Sequence, residues 1–316
     1  MDLSLFFAGT AGSVPTARRG LPALLLRAGG ERILFDCGEG TQQQLLRSIG
    51  LPVVDSVFIT HYHLDHWLGL VGMVKTFDLR GRERPLEIHG PPGLRQLFAA
   101  MRTVIGRTGY PLELVELEPH DDVRFGSFLI TPFPVKHRVD AYGYAFVEHD
   151  RPGRFDVEAA RRLGVREGPD YGRLQRGETV EGVRPEQVMG ETRPGRRIVL
   201  SGDTAPCQAV EVFAHRADVL VHEATFMEDE RDRARETFHS TARQAAEIAR
   251  DAGVRLLALT HLSTRYFPRE IRDEAREVFP NAYVPRDFDE IAVPFPERGE
   301  PTLVKPEREP EPAAAP

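Results

Sequence analysis

The segment His61-Tyr62-His63-Leu64-Asp65-His66 constrains this chain more than any other, because it places four metal-ligand side chains directly after an apolar run. Residues two apart project to the same side of an extended chain, so His61 and His63 can present nitrogens to one ion. A turn into a following helix would bring Asp65 and His66 to a neighbouring position. Six residues cannot complete two metal shells, so we expect a fold that gathers further ligands at other strand ends.

Short apolar runs alternate with helical patterns along most of the 316 residues, and this alternation predicts a mixed α/β fold. The predicted strands are 3–8, 23–27, 32–36, 56–60, 128–135, 142–148, 197–201, 218–222 and 255–260. The predicted helices are 41–49, 68–79, 93–104, 208–215, 240–251 and 269–278. We expect two similar halves, each with polar residues where its strands end.

Three further candidate ligands, His137, Asp203 and His261, lie just past the ends of predicted strands. Open α/β sheets gather their site residues at such ends. Singly, Asp203 could instead cap a helix and His137 could be an ordinary surface residue, but three together favour a site. A ligand set of nitrogen and oxygen suits zinc and also admits manganese or iron. Two ions sharing Asp203 would activate water at neutral pH, so hydrolysis is the expected reaction.

Two more motifs carry candidate catalytic groups: residues 222–225 (His-Glu-Ala-Thr) after a strand, and residues 239–241 (His-Ser-Thr) before a helix. In one interpretation His239 donates a proton or a hydrogen bond to the scissile group, and Glu223 orients it. In the other, a hydroxyl of the second motif caps the helix and Glu223 is a satisfied polar residue at a strand end. The residues alone leave both open.

Residues 151–197 interrupt the alternation, with eleven arginines and eight acidic residues in a chain of net charge −7. We predict that residues 151–193, called the arm below, form a flexible insertion in a hydrolase domain spanning 1–296. A solvated insertion without a binding role is the alternative. Residues 297–316 are rich in proline, glutamate and alanine, and we expect them to be a disordered tail.

Composition limits the setting in which the chain works. No apolar stretch approaches the roughly 18 residues of a membrane helix, and the two cysteines, Cys37 and Cys207, lack the spacing of a thiolate metal site. We therefore expect a cytoplasmic protein with no membrane partner. Its negative net charge means that a local basic surface would have to hold any nucleic acid.

Taken together, the motifs resemble the ribonuclease Z family of the metallo-β-lactamase superfamily, and the resemblance covers nearly the whole chain. The matching stretches are 9–16 (GTAGSVPT), 35–42 (FDCGEGTQ), the 61–66 cluster, His137, 201–204 (SGDT), 222–226 (HEATF), 239–241 (HST) and 259–266 (LTHLSTRY). The resemblance implies an α/β protein with the metallo-β-lactamase fold, a four-layer αβ/βα sandwich with a protruding arm.

The resemblance also implies two zinc ions per subunit. One would lie on His61, His63 and His137, the second on Asp65, His66 and His261, with Asp203 between them. Asp65 is further implied as proton acceptor for the attacking water, and His239 with Glu223 would assist departure of a ribose 3′ oxygen. Arg265 would touch a phosphate near the cut. The arm, with Gly168, Pro169 and Tyr171 at a Gly-Pro turn, would grip the tRNA body.

The implied activity is that of a zinc-dependent endoribonuclease which removes the 3′ trailer from precursor tRNA by metal-activated water attack, and the implied assembly is a homodimer. Two alternatives stay open. A hydrolase of the same superfamily that cuts a small phosphodiester, aryl sulfate, lactone or thioester would have no use for the arm. A non-catalytic RNA-binding scaffold would have no use for the complete ligand set.

Overall fold

A computed structural model describes residues 2–305 and arranges them around two β-sheets that pack face to face. The first sheet contains, in spatial order, β15 (Thr302–Val304), β14 (Glu290–Ala292), β1 (Leu3–Gly9), β2 (Ala23–Ala28), β3 (Glu31–Phe35), β4 (Ser56–Phe58), β5 (Leu86–Gly90) and β6 (Leu112–Glu116). The second contains β13 (Ala282–Tyr283), β12 (Leu256–Thr260), β11 (Val219–Glu223), β10 (Arg197–Leu200), β9 (Tyr142–Glu148), β8 (Phe128–Pro134) and β7 (Val123–Arg124).

Helices connect the strands along the chain. Those in the first part of the chain are α1 (Thr41–Ser48), α2 (Leu64–Trp67), α3 (Gly69–Leu79) and α4 (Leu94–Ile105). The arm contains α5 (Val157–Arg162) and α6 (Pro169–Gln175), and the second part contains α7 (Gln208–Phe213), α8 (Arg231–Thr237), α9 (Ala242–Ala252) and α10 (Pro268–Val278). Single 3₁₀ turns lie at Pro185–Gln187, Glu228–Glu230 and Pro296–Arg298. Within residues 2–305, none of these helices combines the length and hydropathy needed to cross a bilayer.

Three apolar layers hold the sandwich together, because strand residues alternate between the two faces of each sheet. In β11, Val219 and Val221 join the core between the sheets, whereas Leu220 joins the core under the outer helices. A third core packs α1, α3 and α4 against the outer face of the first sheet. The predicted four-layer αβ/βα sandwich is therefore confirmed.

We expected two similar halves of the sequence, but the two sheets do not correspond to two such halves. Strands β7, β8 and β9 come from the first half of the chain but belong to the second sheet, and β14 and β15 return from the C-terminus to the first. This exchange of strands pairs β1 with β14, and it pairs β9 with β8 on one side and with β10 on the other. Sequence patterns report local strand formation, whereas these pairings are set by long-range packing.

The arm is more structured than the flexible insertion that we predicted. Its apolar residues form a small core of their own, comprising Ala160, Val165, Tyr171, Leu174, Val180, Val183 and Val188, with Phe155, Ala159 and Met189 packed against it. These residues are irregularly spaced over two short helices and several turns. No single helical or strand period links them, which is why the sequence pattern missed this core.

The predicted disordered tail begins too early. Glu297 forms ion pairs with Arg151 and Arg193, and Thr302–Val304 pairs with β14 as an edge strand. A Pro- and Glu-rich segment can still form a strand when a neighbouring strand supplies the hydrogen bonds. The rest of the predicted tail, from residue 306 onward, lies outside the described residues.

Candidate active site

Five strand ends meet at one edge of the sandwich and deliver the predicted site residues. His61 follows β4, and His137, Asp203 and His261 follow β8, β10 and β12. Glu223 is the last residue of β11. Strands β10, β11 and β12 are parallel, and β8 runs in the same direction because both β8 and β10 are antiparallel to β9. Their carboxyl ends therefore lie side by side, as expected for a site in this class of sheet.

The first group of predicted ligands brings three imidazole nitrogens together. His63 Nδ1 lies 2.9 Å from His61 Nε2 and 3.2 Å from His137 Nε2. The three ligand atoms lie within 4.8 Å of one another, so one cation between them can contact all three. His63 is the last residue before α2 and is still extended, which gives it the same-side projection as His61 that the sequence predicted.

The second group surrounds the carboxylate of Asp203. Asp203 Oδ2 lies 3.2 Å from His261 Nε2, 3.3 Å from His66 Nε2 and 3.9 Å from His61 Nε2. Asp65 Oδ2 lies 3.4 Å from His261 Nε2 and 3.6 Å from His66 Nε2. One Asp203 oxygen therefore faces both groups, which is the position of a ligand shared by two ions.

The second ring nitrogen of four of these histidines has a partner that fixes the ring. His66 Nδ1 donates to Asp36 Oδ2 at 2.8 Å, and His137 Nδ1 donates to the Phe238 carbonyl at 3.1 Å. His61 Nδ1 lies 3.0 Å from Thr60 Oγ1, and His261 Nδ1 lies 2.8 Å from Thr225 Oγ1. Such bonds hold the proton on Nδ1 and leave Nε2 free to bind a metal.

These supporting residues were not predicted, although two of them carried a usable signal. Asp36 directly follows β3, and Thr225 belongs to the 222–225 motif. Phe238 contributes only its carbonyl, for which the sequence gives no signal. Asp36, Phe238 and His261 all have positive φ angles between 55° and 59°. Non-glycine residues adopt this conformation rarely, and it is frequent at functional sites.

The charges at the site suit divalent cations. Burial lowers the pKa of His61, His63 and His137, so their imidazoles stay neutral and able to bind metal. Burial opposes the charged forms of His66 and Asp203 as well. The Asp203 and Asp36 carboxylates nevertheless raise the pKa of His66 well above its ordinary value, while His261 and His66 hold the pKa of Asp203 well below. A cation beside Asp203 would displace the His66 proton.

The donor set therefore fits a divalent metal centre. His66 Nε2 is buried and makes no hydrogen bond, a state that is costly unless a ligand completes it. Among residues 2–305, the overlapping groups His61–His63–His137, His61–His66–Asp203 and Asp65–His66–His261 all have metal-binding spacing. Their nitrogens and carboxylate oxygens suit zinc, manganese or iron.

His239 lies beside this centre and is held by Glu223. His239 Nδ1 is 2.7 Å from Glu223 Oε1, which also accepts the backbone N–H of Thr204 at 2.8 Å. Glu223 Oε2 accepts the Thr225 hydroxyl at 2.6 Å. Burial opposes protonation of His239, but the charge of Glu223 prevails and raises the pKa of His239 to about 9. The imidazole is therefore protonated at neutral pH.

The two later motifs supply both a helix cap and a partly buried contact between His239 and Glu223. Thr241 caps α9 by accepting the N–H of Gln244, while His239 and Glu223 form the pair described above. Asp203 does not cap α7, whose N-cap residue is Cys207. His222 is fully buried and precedes Glu223 on β11, so its side chain points to the other face of the sheet.

The loop of residues 10–20 closes over the metal-binding side chains. The Ser13 N–H donates to Asp65 Oδ2 at 2.9 Å. A Cβ on Gly12 would lie 2.5 Å from His261 Nδ1, so only glycine lets the loop approach this closely. The buried carboxylate of Asp287 anchors the loop by accepting from Thr10 Oγ1 at 2.7 Å and from the Gly20 N–H at 2.6 Å.

We predict that Asp287→Ala loosens this loop and lowers activity per folded molecule several-fold. Loss of a buried acceptor with three donors, Gln44 Nε2 being the third, should reduce the free energy of unfolding by about 1–3 kcal/mol. Urea denaturation and initial cleavage rates measure the two effects. Asp55→Ala is the control, since Asp55 accepts the Arg32 N–H ahead of β4, away from the loop. Equal activity of the two folded variants would contradict the anchoring role.

A cleft of about 460 Å³ opens from the metal-binding residues to the surface. His63, His137 and His239 lie on its inner wall, and Arg138, Arg233 and Arg265 line it as well. Glu230 lies 3.6 Å from Arg233 Nη1 and 3.7 Å from Arg265 Nε, which keeps both side chains at the cleft. Arg138 and Arg233 were not predicted. The position of Arg138 directly after His137 was the only available signal.

The arm residues that we predicted at a Gly-Pro turn differ in their exposure. Gly168 and Pro169 are exposed, at the N-terminus of α6. Tyr171 is only 9% exposed, and its ring lies 4.8 Å from that of Phe155 in the core of the arm. Tyr171 therefore packs the arm, which corrects its expected place on the substrate-facing surface.

Comparison with known proteins agrees with this geometry. The metallo-β-lactamase superfamily profile matches residues 20–261. Ribonuclease Z of Myxococcus xanthus is 46% identical over 304 residues, covering 94% of this chain and 99% of that protein. Ribonuclease Z of Haloferax volcanii is 45% identical over 305 residues, covering 93% and 96%. The crystal structure of human tRNase Z, short form, superimposes with a TM-score of 0.68 at 27% identity, covering 92% of this chain and 99% of that one. This chain belongs to the ribonuclease Z family of the metallo-β-lactamase superfamily.

Proposed function

We propose that the protein is a metal-dependent endoribonuclease that removes the 3′ trailer from precursor tRNA, using two zinc ions. The observation that carries the proposal is the convergence of seven metal-ligand side chains and the His239–Glu223 pair on an arginine-lined cleft. Family membership and the names of the relatives supply the substrate. A binding scaffold would not need the ligand set.

The attacking water is deprotonated by Asp65. When bound, a pair of divalent cations lowers the pKa of water and neutralises phosphate charge. The Ser13 N–H holds Asp65 Oδ2 in place, which leaves Oδ1 for the proton of the water. Burial opposes the charge of Asp65, but the hydrogen bond from His261 and the nearby His66 hold its pKa below the usual range. Asp65 therefore stays ionised as a proton acceptor.

The leaving oxygen is protonated by His239. As water oxygen bonds to phosphorus, the bond from phosphorus to the ribose 3′ oxygen breaks, and His239 Nε2 supplies the proton that this oxygen needs. Glu223 holds Nδ1 and so orients the ring. The products are a tRNA with a 3′ hydroxyl and a trailer with a 5′ phosphate.

Arginines outside the metal centre position the RNA. Arg138, Arg233 and Arg265 lie along the cleft, where their guanidinium groups match phosphate geometry. In the arm, Arg154, Arg162, Arg166 and Arg184 are exposed and form no ion pair within the described residues. Phosphate contacts of this kind position an RNA that is recognised by shape.

We further propose a homodimer in which the arm serves the partner's active site, as the family resemblance implies. Light scattering should then give twice the mass of the 35.5 kDa chain, and a monomer would contradict it. The cytoplasmic location stays a prediction from composition.

Substitution of exposed arginines in the arm distinguishes tRNA processing from hydrolysis of a small molecule. Arg162→Ala combined with Arg166→Ala should raise the KM for precursor tRNA about tenfold at 150 mM salt and reduce the salt dependence of binding. Hydrolysis of bis(p-nitrophenyl) phosphate should not change, because that substrate does not reach the arm. The charge-matched control combines Arg102→Ala with Arg107→Ala, two exposed arginines in and just after α4.

Two outcomes would count against the proposal. An unchanged KM and salt dependence in the arm variant would remove the arm from RNA binding. Hydrolysis of the chromogenic phosphodiester without cleavage of any precursor tRNA would favour the small-molecule hydrolase of the same superfamily.

A further inference from the structure

The two chain segments that connect the arm to the second sheet meet at Arg151 and Arg193. Their backbones exchange hydrogen bonds of 2.8 and 2.9 Å. Both side chains then bind one carboxylate. Arg151 contacts both oxygens of Glu297, at 2.8 and 3.2 Å, and Arg193 Nη1 contacts Oε1 at 2.9 Å. Glu297 therefore joins both ends of the arm to the C-terminal segment, which is the stretch between β14 and β15.

Phe295 adds a second contact between the C-terminal segment and the base of the arm. Its ring centroid lies 3.6 Å from the guanidinium carbon of Arg151 and 4.0 Å from that of Arg196. Arg196 is 1% exposed and is itself fixed by Glu148, with Nε and Nη2 bonds of 2.8 and 2.9 Å. Phe295 is thus held between a buried arginine just before β10 and an arginine of the arm.

Within residues 2–305, Glu297 receives every ion pair that the arm makes with the rest of the chain. The other ion pairs of the arm are internal, such as Arg161 with Glu158 and Arg173 with Asp170. The apolar core of the arm likewise contains no residue of the two sheets or their helices, as far as the described residues go. Among the described residues, the ion pairs that join the arm to the body thus all meet at one place.

We propose that Glu297, together with Phe295, is a positioning residue that fixes the direction in which the arm leaves the second sheet, and thereby controls the binding of precursor tRNA. It acts through Arg151 and Arg193 and does not touch the substrate. This inference rests on the proposed function. An arm released from Glu297 has to be ordered when RNA binds, and that ordering reduces affinity without altering the chemical step.

The test compares Glu297→Gln with Glu300→Gln in the full-length protein. Glu300 lies three residues further along the same segment but pairs with Arg255, at 3.0 and 2.9 Å, not with the arm. We expect Glu297→Gln to raise the KM for precursor tRNA about tenfold, with kcat within about twofold of wild type. Glu300→Gln should match wild type in both. Neither variant should change the hydrolysis of bis(p-nitrophenyl) phosphate.

Amide hydrogen exchange over residues 151–193 tests, in the absence of RNA, whether Glu297 holds the arm. Faster exchange near Arg151 and Arg193 in Glu297→Gln, but not in Glu300→Gln, is the expected result. Unchanged exchange, or a KM equal to that of the control, would overturn the inference. If wild type cleaves no precursor tRNA, the proposed function fails, while the exchange experiment still decides whether Glu297 holds the arm.

Discussion

Asp65→Ala is expected to lower kcat for precursor tRNA by about 10³-fold or more. The substitution removes a side chain that lies among the ligand atoms of His66 and His261, 3.6 and 3.4 Å away. It also removes the proposed proton acceptor for the attacking water. Acid–base catalysis alone contributes about 10²–10⁴-fold, and a weakened metal centre adds to that loss.

Metal analysis of the same variant separates the two roles of Asp65. If the variant binds as much metal as wild type, the lost rate belongs to proton transfer. If it binds less, Asp65 is needed for the metal centre. Asp55→Ala, which removes a carboxylate ahead of β4, serves as the control and should keep wild-type kcat. Retention of more than about a tenth of the wild-type kcat by Asp65→Ala would contradict its place in the reaction.

His239→Ala is expected to lower kcat by about 10²–10⁴-fold, because it removes the proposed proton donor to the leaving 3′ oxygen. Glu223→Gln should have a smaller effect that depends on pH. Glu223 raises the pKa of His239 to about 9, so wild-type kcat/KM should fall as the pH rises through that value. Without the carboxylate, the pKa of His239 returns toward about 6.5 and the fall begins roughly two units lower.

The measurement is kcat/KM against pH for wild type and Glu223→Gln. Near pH 6 the two should differ least, because His239 is largely protonated in both. Near pH 8 the variant should be slower by about 10- to 100-fold. A leaving group with a low pKa needs no proton, so p-nitrophenyl phosphodiesters should be affected far less by His239→Ala. An unchanged alkaline limb in Glu223→Gln would contradict the role assigned to the pair.

The convergence of the candidate metal ligands could be predicted because their signal is local. His61, His63, Asp65 and His66 are neighbours in sequence, and each distant candidate ligand comes within three residues of the end of a strand that its apolar residues reveal. The residues that support them were harder to find. Asp287 reaches the loop of residues 10–20 from the other end of the chain, and nothing in its neighbourhood distinguishes it from an ordinary loop aspartate.

The fold shows the same division between local and long-range information. Strands such as β11 and helices such as α9 were predicted from their apolar pattern. The membership of β8 in the second sheet and of β14 in the first depends on pairings between distant segments. Phe295 and Glu297 belong to a Pro- and Glu-rich stretch, and their structural role became visible only once Arg151 and Arg196 were placed beside them.

The proposed function is tested most directly by mapping the product ends from a precursor tRNA with a 3′ trailer, incubated with the chelator-treated protein before and after zinc is restored. We expect one zinc-dependent cut after the discriminator nucleotide, with a 3′ hydroxyl on the tRNA and a 5′ phosphate on the trailer, and no cut by Asp65→Ala. Cleavage that persists without metal would contradict the proposed function. Failure of the protein to remove the trailer after zinc is restored would also contradict it.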